Sequence, residues 1–292
     1  MLSGRRAPDQ NEASALSRCR QSGLLCAASV FCRVCGDTGM AVRNGIVKRV
    51  MLTVAYDGTA YCGWQLQTNA ETIESVLNRC LRELTGEPIE VIGASRTDSG
   101  VHALGNIAVF DTESPIPADK FSYALNQRLP EDIRIQGSEE VAADFHPRHC
   151  ASRKTYEYRI LNAPFPLPTK RLYAHFTYVP LDVDLMKQGA AYLVGEHDFK
   201  SFCSVDTQAQ TTVRQIDAIE VVRQGEEISI LVTGRGFLYN MVRIIAGTLM
   251  EVGRGHLPPE KVKDILEARD RQTAGPTAPA CGLTLVGYDF LE

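Results

Sequence analysis

The stretch ASRTDSGVHALGN, residues 94–106, sets Arg96 and Asp98 two positions apart, with Gly100 and His102 close behind, in a segment with few large apolar side chains. Asp-Ser-Gly is turn-forming chemistry on its own, so a surface turn is the plain alternative. A guanidinium near a carboxylate, however, favours the ionised acid in a poorly solvated place, which is the state a nucleophilic or proton-abstracting carboxylate needs. Asp98 is therefore the candidate reacting acid, and Arg96 one source of the stabilising charge. Arg243 is the other, because it interrupts the apolar run LYNMVRIIAGTLMEVG, where an unpaired charge would be costly. It is expected to have a buried partner. Asp57, in YDGT, is the competing carboxylate, but an Asp-Gly pair after a strand is explained by the turn it forms.

Other reactive side chains have simpler readings. His102 is expected to be a hydrogen-bonded structural histidine. His146, His149 and Cys150 resemble part of a metal site, yet they lie in a proline-containing loop beside Arg148, Arg153 and Lys154, which reads as a basic edge. Tyr156 and Tyr158 alone would read as two core aromatics of one strand. No serine-hydrolase elbow, phosphate loop or dinucleotide fingerprint is present, so hydrolysis by an activated serine, kinase and dehydrogenase chemistries have no support.

The elements that must position these residues follow from periodicity. VMLTVAYDG is a strand closed by a turn, and Ile73, Val76, Leu77, Cys80, Leu81 and Leu84 form one helix face ending near Gly86. IEVIGAS reads as a strand that delivers Arg96 and Asp98 at its end, followed by a strand at NIAVF and a helix at DKFSYALNQRL. KTYEYRIL is a strand whose alternation puts Tyr156, Tyr158 and Ile160 on one face. A helix over residues 185–193, a hairpin at QIDAIEVVRQGEEISILVTG, the apolar helix around Arg243 and a helix at LPPEKVKDILEARD complete the chain. The predicted fold is α+β: two consecutive α/β-type halves with mixed or antiparallel sheets, residues 48–150 carrying Asp98 and residues 151–292. Residues 1–47 read as a disordered extension, polar and without sustained periodicity, whose single Cys32-x2-Cys35 pair is too little for zinc.

Composition limits the partners. At 292 residues, 44% hydrophobic and 23% charged, with no apolar run of membrane-spanning length, the chain reads as a soluble protein with no membrane partner. Nine cysteines, an odd count with only that one close pair, read as reduced thiols, hence a cytoplasmic protein. Six of the 31 Lys and Arg and three of the 35 Asp and Glu fall in residues 1–47, which leaves the remainder at −7. If this chain binds RNA, its cations must be gathered on one face, because overall attraction to phosphate is absent.

Four motifs then occur in a telling order: YDGTAYCGWQ at 56–65, SRTDSGVHA at 95–103, FHPRHCASRKTYEYRI at 145–160 and GFLYNMVRIIAGTLMEVG at 236–253, with AGPTAPACGL near the end. Together they resemble the TruA family of tRNA pseudouridine synthases over nearly all of the chain after residue 50. Ser95 and Ser99 stand where many members carry Gly and Ala, and Ile244 where some carry Asn. The resemblance implies the pseudouridine synthase fold around a central cleft, and isomerisation of uridine to pseudouridine. Asp98 would act at the ribose, either on C1′ or on the 2′ proton. Tyr156 would pack on the target base, Arg96 would help displace it, and Arg243 would pair with Asp98. Phe237 and Leu238 would line the base pocket or the core. The resemblance further implies the anticodon stem-loop of tRNA, positions 38, 39 and 40, as substrate, a homodimer, and no metal or other cofactor. The rival readings are a non-catalytic tRNA-binding protein, which has no use for Asp98, and a glycosidic hydrolase, which needs a second acid beside it.

Overall fold

A computed structural model describes residues 47–205 and 209–291. The extension expected over residues 1–47, with its cysteine pair, lies outside the described residues except for Val47.

Strand β1 (Lys48–Tyr56) buries Val50, Leu52, Val54 and Tyr56 and leaves the intervening residues half-buried, the alternation of a sheet packed on one face. Helix α1 (Ile73–Thr85) opens with a capping box between Thr72 and Ser75 and closes on Gly86, whose φ of 77° is the left-handed conformation that glycine adopts without strain. Its buried face carries Ile73, Val76, Leu77, Cys80 and Leu81, as the spacing predicts, with Leu84 half-buried.

Next come β2 (Ile92–Gly93), β3 (His102–Thr112), the short α2 (Phe121–Asn126), which buries Phe121 and Leu125, and β4 (Ile133–Val141). Here the expectation from IEVIGAS needs correction. The strand ends after two residues, because the next residue, Ala94, makes the last backbone bond to β3, at Ile107 O, and the side chain of Asn106 then occupies the backbone of Ser95. Arg96 and Asp98 consequently lie on a loop, not at a strand end.

The second half contains β5 (Ser152–Asn162), β6 (His175–Thr177), α3 (Val183–Ala191), β7 (Gly195–Asp198), the hairpin β8 (Val213–Gln224) and β9 (Glu227–Arg235), α4 (Met241–Gly253), α5 (Lys261–Ala268) and β10 (Leu283–Phe290). All strands join one mixed sheet in the order β4-β1-β3-β10-β5-β9-β8-β7, with β2 on β3 and β6 on β5. β10 lies at its centre, parallel to β3 and antiparallel to β5, so the end of the chain bonds the strands of the first half to those of the second. The α+β class, with a mixed sheet spanning two consecutive sets of elements, is the observed one. The strands β4, β6, β7 and β10 are not among those the sequence predicts, β6 being only three residues long. Among the described residues, no helix is long and apolar enough to cross a membrane.

Candidate active site

The loop that carries Asp98 is shaped from below. The amide of Asn106, fully buried, donates to Ser95 O at 3.0 Å and accepts from Ser95 N at 3.3 Å, so one side chain serves both backbone groups of that residue. Tyr56 and Thr97 share a hydroxyl hydrogen bond of 2.8 Å, and Trp64 N donates to Thr97 O at 3.1 Å. The loop closes on itself where Val101 N donates to Asp98 O. Gly63, at φ 82°, lies so close that a Cβ there would sit 2.6 Å from Thr97 O. The motif at 56–65 is thus the bed on which the Asp98 loop rests. Asp57 caps the turn that follows it, accepting from Thr59 N, and does not line the cleft described below. His102 is buried, its ring nitrogens 3.1 Å from Gly58 N and 2.9 Å from Leu172 O.

Asp98, in the lining of the cleft, meets Arg243, with Oδ2 3.6 Å from Nη1 and both side chains only 18% exposed. Arg243 sits in the first turn of α4, where Nε donates to Ala278 O at 2.8 Å and Nη1 to Asn240 Oδ1 at 2.6 Å. Ala278 N returns a bond to Arg243 O, and Gly275 N donates to Thr248 Oγ1. That close approach of the segment after α5 requires Gly247, because a Cβ there would overlap Pro276 O. Burial raises the Asp98 pKa and Arg243 lowers it, with burial the larger effect, so the carboxyl titrates above its ordinary value of 3.8. The sequence suggested two arginines holding Asp98 ionised. Only Arg243 pairs with it, and Arg96 is exposed with no ion pair among the described residues.

Tyr156 forms the wall. Its ring is buried in β5 and meets Phe237 edge-on, with centroids 5.1 Å apart at 83°. Burial and then the nearby Asp98 raise its hydroxyl pKa, so the phenol is neutral. Tyr158, two residues on, is fully buried and donates to Pro279 O, a structural placement. Phe237 and Leu238 both line the cleft.

The cleft has a volume of about 750 Å³, and Arg96, Arg148, Lys154 and Arg214 line it beside Asp98. None of these four forms an ion pair with a carboxylate among the described residues. Two corrections to the expected basic edge follow. Arg153 alternates away from Lys154 along β5 and pairs with Asp217 at 2.9 Å. Arg214, which no sequence motif marked, takes a place in the lining, with its guanidinium donating to Thr211 O and Val213 O. His146 and His149 stack with centroids 4.0 Å apart, and no group of three His, Cys, Asp or Glu among the described residues is arranged to hold a metal.

The family model described as tRNA pseudouridine synthase matches residues 52–149 and 190–290. The chain is 48% identical over 240 residues to the tRNA pseudouridine synthase A of Acetivibrio thermocellus, covering 82% of this chain and 98% of that protein. It is 48% identical to the protein of the same name from Brevibacillus brevis and 49% to that from Ruminiclostridium cellulolyticum, with the same coverage in each case.

Proposed function

Because the chain belongs to the tRNA pseudouridine synthase family, whose members isomerise uridine to pseudouridine in tRNA, we propose that Asp98 is the carboxylate acting on the ribose and that the cleft around it receives the flipped uridine. The observation that carries this reading is the Asp98–Arg243 pair at 3.6 Å, recessed beside the Tyr156 ring. The reaction breaks N1–C1′, turns the base and joins C5 to C1′. The C5 proton is lost, and N1 ends protonated. The exchange is redox neutral and needs no external energy.

Each residue has a separate part. Asp98 acts at the ribose as its carboxylate, and Arg243, fixed by Ala278 and Asn240, supports that ionised form against burial. Tyr156 holds the face of the base, and its hydroxyl assists loss of the C5 proton. Arg96, exposed at the rim and free of ion pairs among the described residues, takes the place the base leaves in the RNA. The substrate uridines are those at positions 38, 39 and 40 of the anticodon stem-loop. Reaching several neighbouring positions suits a protein that reads helix shape and backbone rather than base sequence. An extended basic cleft is easier to build across two chains than on one body charged −7, so the enzyme acts as a homodimer in the cytoplasm.

The purified protein incubated with unmodified tRNA labelled at uridine C5 tests the chemistry. Label release with pseudouridine in the product is expected, while binding without release, or free uracil, would refute it. Mapping pseudouridine in tRNA from cells lacking the protein tests the substrate. Loss confined to sites outside the anticodon arm would overturn that assignment, and a fully active monomer by light scattering would overturn the dimer.

A further inference from the structure

Two of the cations lining the cleft, Arg148 and Lys154, are tied to one short stretch of backbone. Arg148 Nε donates to Gly93 O at 2.7 Å and Lys154 Nζ to Ala94 O at 3.3 Å. These are consecutive carbonyls, at the end of β2 and the start of the Asp98 loop. Lys154 also lies 5.2 Å from the centroid of the Tyr288 ring. On β5 it is two residues from Tyr156, so both side chains leave the same face of the strand. Each cation has used little of its donor capacity: Lys154 has two N–H groups left and Arg148 keeps both Nη ends of its fork. Like charges brought together with no carboxylate in ion-pair contact are unfavourable unless an anion completes the group, and neither Lys154 nor Arg148 has such a contact among the described residues.

We propose that Lys154 and Arg148 form a seat for one phosphodiester group of the tRNA backbone, adjoining the target uridine. The proposal rests on the reading of the Asp98 cleft as the uridine site. The guanidinium supplies a two-pronged contact and the ammonium a point charge. Both are tied to the backbone that leads into Asp98, so a phosphate held here fixes the register of the RNA relative to the carboxylate. Arg214, on β8 with β9 between it and β5, is outside this seat.

The seat has a titration of its own. Burial, and then Arg148, lower the Lys154 pKa to about 8, while partial burial and then Arg96 lower that of Arg148. The groups facing this pair are Arg96 and Asp98 from the loop, Tyr156 on β5, Tyr288 on β10 and Glu74 from α1. Both tyrosines have pKa values raised by burial and stay neutral in the working range. A phosphate favours the ammonium, so RNA binding takes up a proton at Lys154 as the pH passes 8. Affinity is full below that pH and falls above it.

The test is equilibrium filter binding of an unmodified tRNA transcript to the full chain carrying Asp98→Asn, which holds chemistry off, with Lys154 kept or changed to Arg or Met. With Lys154 kept, Kd is expected to rise about tenfold from pH 7 to pH 9. Lys154→Arg should bind tightly and evenly across that window. Lys154→Met should bind weakly at both ends, with its salt slope smaller by about 1. The same rise in all three proteins, or Lys154→Met binding at pH 7 as tightly as the parent, would overturn the seat. Pseudouridine formation by the chain with Asp98 intact is read in parallel. Its absence alongside the pH step in binding would overturn the catalytic reading and leave the seat standing.

Discussion

At the scale of single residues, Asp98 is a carboxylate kept where it is costly to ionise. Its folded pKa lies above the unfolded value, so the folded chain holds this proton more tightly, and stability is lost as the pH rises through the folded pKa. At neutral pH the ionised group therefore works against folding. Asp98→Asn is expected to lower the rate of pseudouridine formation by roughly 10³-fold or more. It should keep tRNA affinity close to that of the parent, and melt at pH 7 no lower than the parent. A clear fall in melting temperature would show that the pair with Arg243 stabilises on balance, and detectable turnover would remove Asp98 from the chemistry. Tyr156→Phe keeps the ring against Phe237 and loses only the hydroxyl. A fall in kcat of roughly 10²-fold with little change in KM is expected, whereas equal damage to both would make Tyr156 a packing residue.

At the scale of elements, two devices hold those side chains, and each has one residue on which it depends. Asn106 replaces the ladder where β2 stops, and it carries the backbone of Ser95. Asn106→Ala leaves that N–H and C=O unpaired in a buried loop, at a cost of about 2 kcal/mol. Denaturant unfolding measures the loss, and kcat should fall more than KM changes, because the loop carries Asp98. Gly247 lets the segment at 274–278 press on α4, which brings Ala278 to Arg243. Gly247→Ala puts a methyl group into the Pro276 carbonyl, so the two must separate, at a cost of about 1–3 kcal/mol. The separation should also loosen Arg243 and depress turnover. A stable and fully active Gly247→Ala protein would show that the segment shifts without disturbing the pair.

At the scale of the whole molecule, charge is arranged by position rather than by amount. A body of −7 that nevertheless sets Arg96, Arg148, Lys154 and Arg214 around one cleft attracts RNA locally and repels it elsewhere. Residues 1–47 add positive charge but stand outside both matched stretches, and the relatives cover 98% of their own length with 82% of this chain. Deleting residues 1–47 is expected to leave melting temperature and activity on tRNA near those of the full chain, as calorimetry and C5 label release would measure. A truncated protein that fails to fold would show that the segment belongs to the fold.

What the sequence determined by itself was local. Period-two alternation put Tyr156, Tyr158 and Ile160 on one face of β5, three- and four-residue spacing placed the buried side of α1, and Gly86 ended it, because each pattern is written within one element. Turn chemistry marked Asp-Ser-Gly, but the strand read over IEVIGAS ran too far, and Asp98 lies on the loop after β2. The tertiary structure decided what depends on register between distant segments. It placed β10 between β3 and β5, left Arg243 and not Arg96 paired with Asp98, turned Arg153 to Asp217, and brought Arg214 into the lining. No periodicity within a strand records which neighbour it will have, and a cation's sequence position does not say whether its face meets a carboxylate or an open cleft.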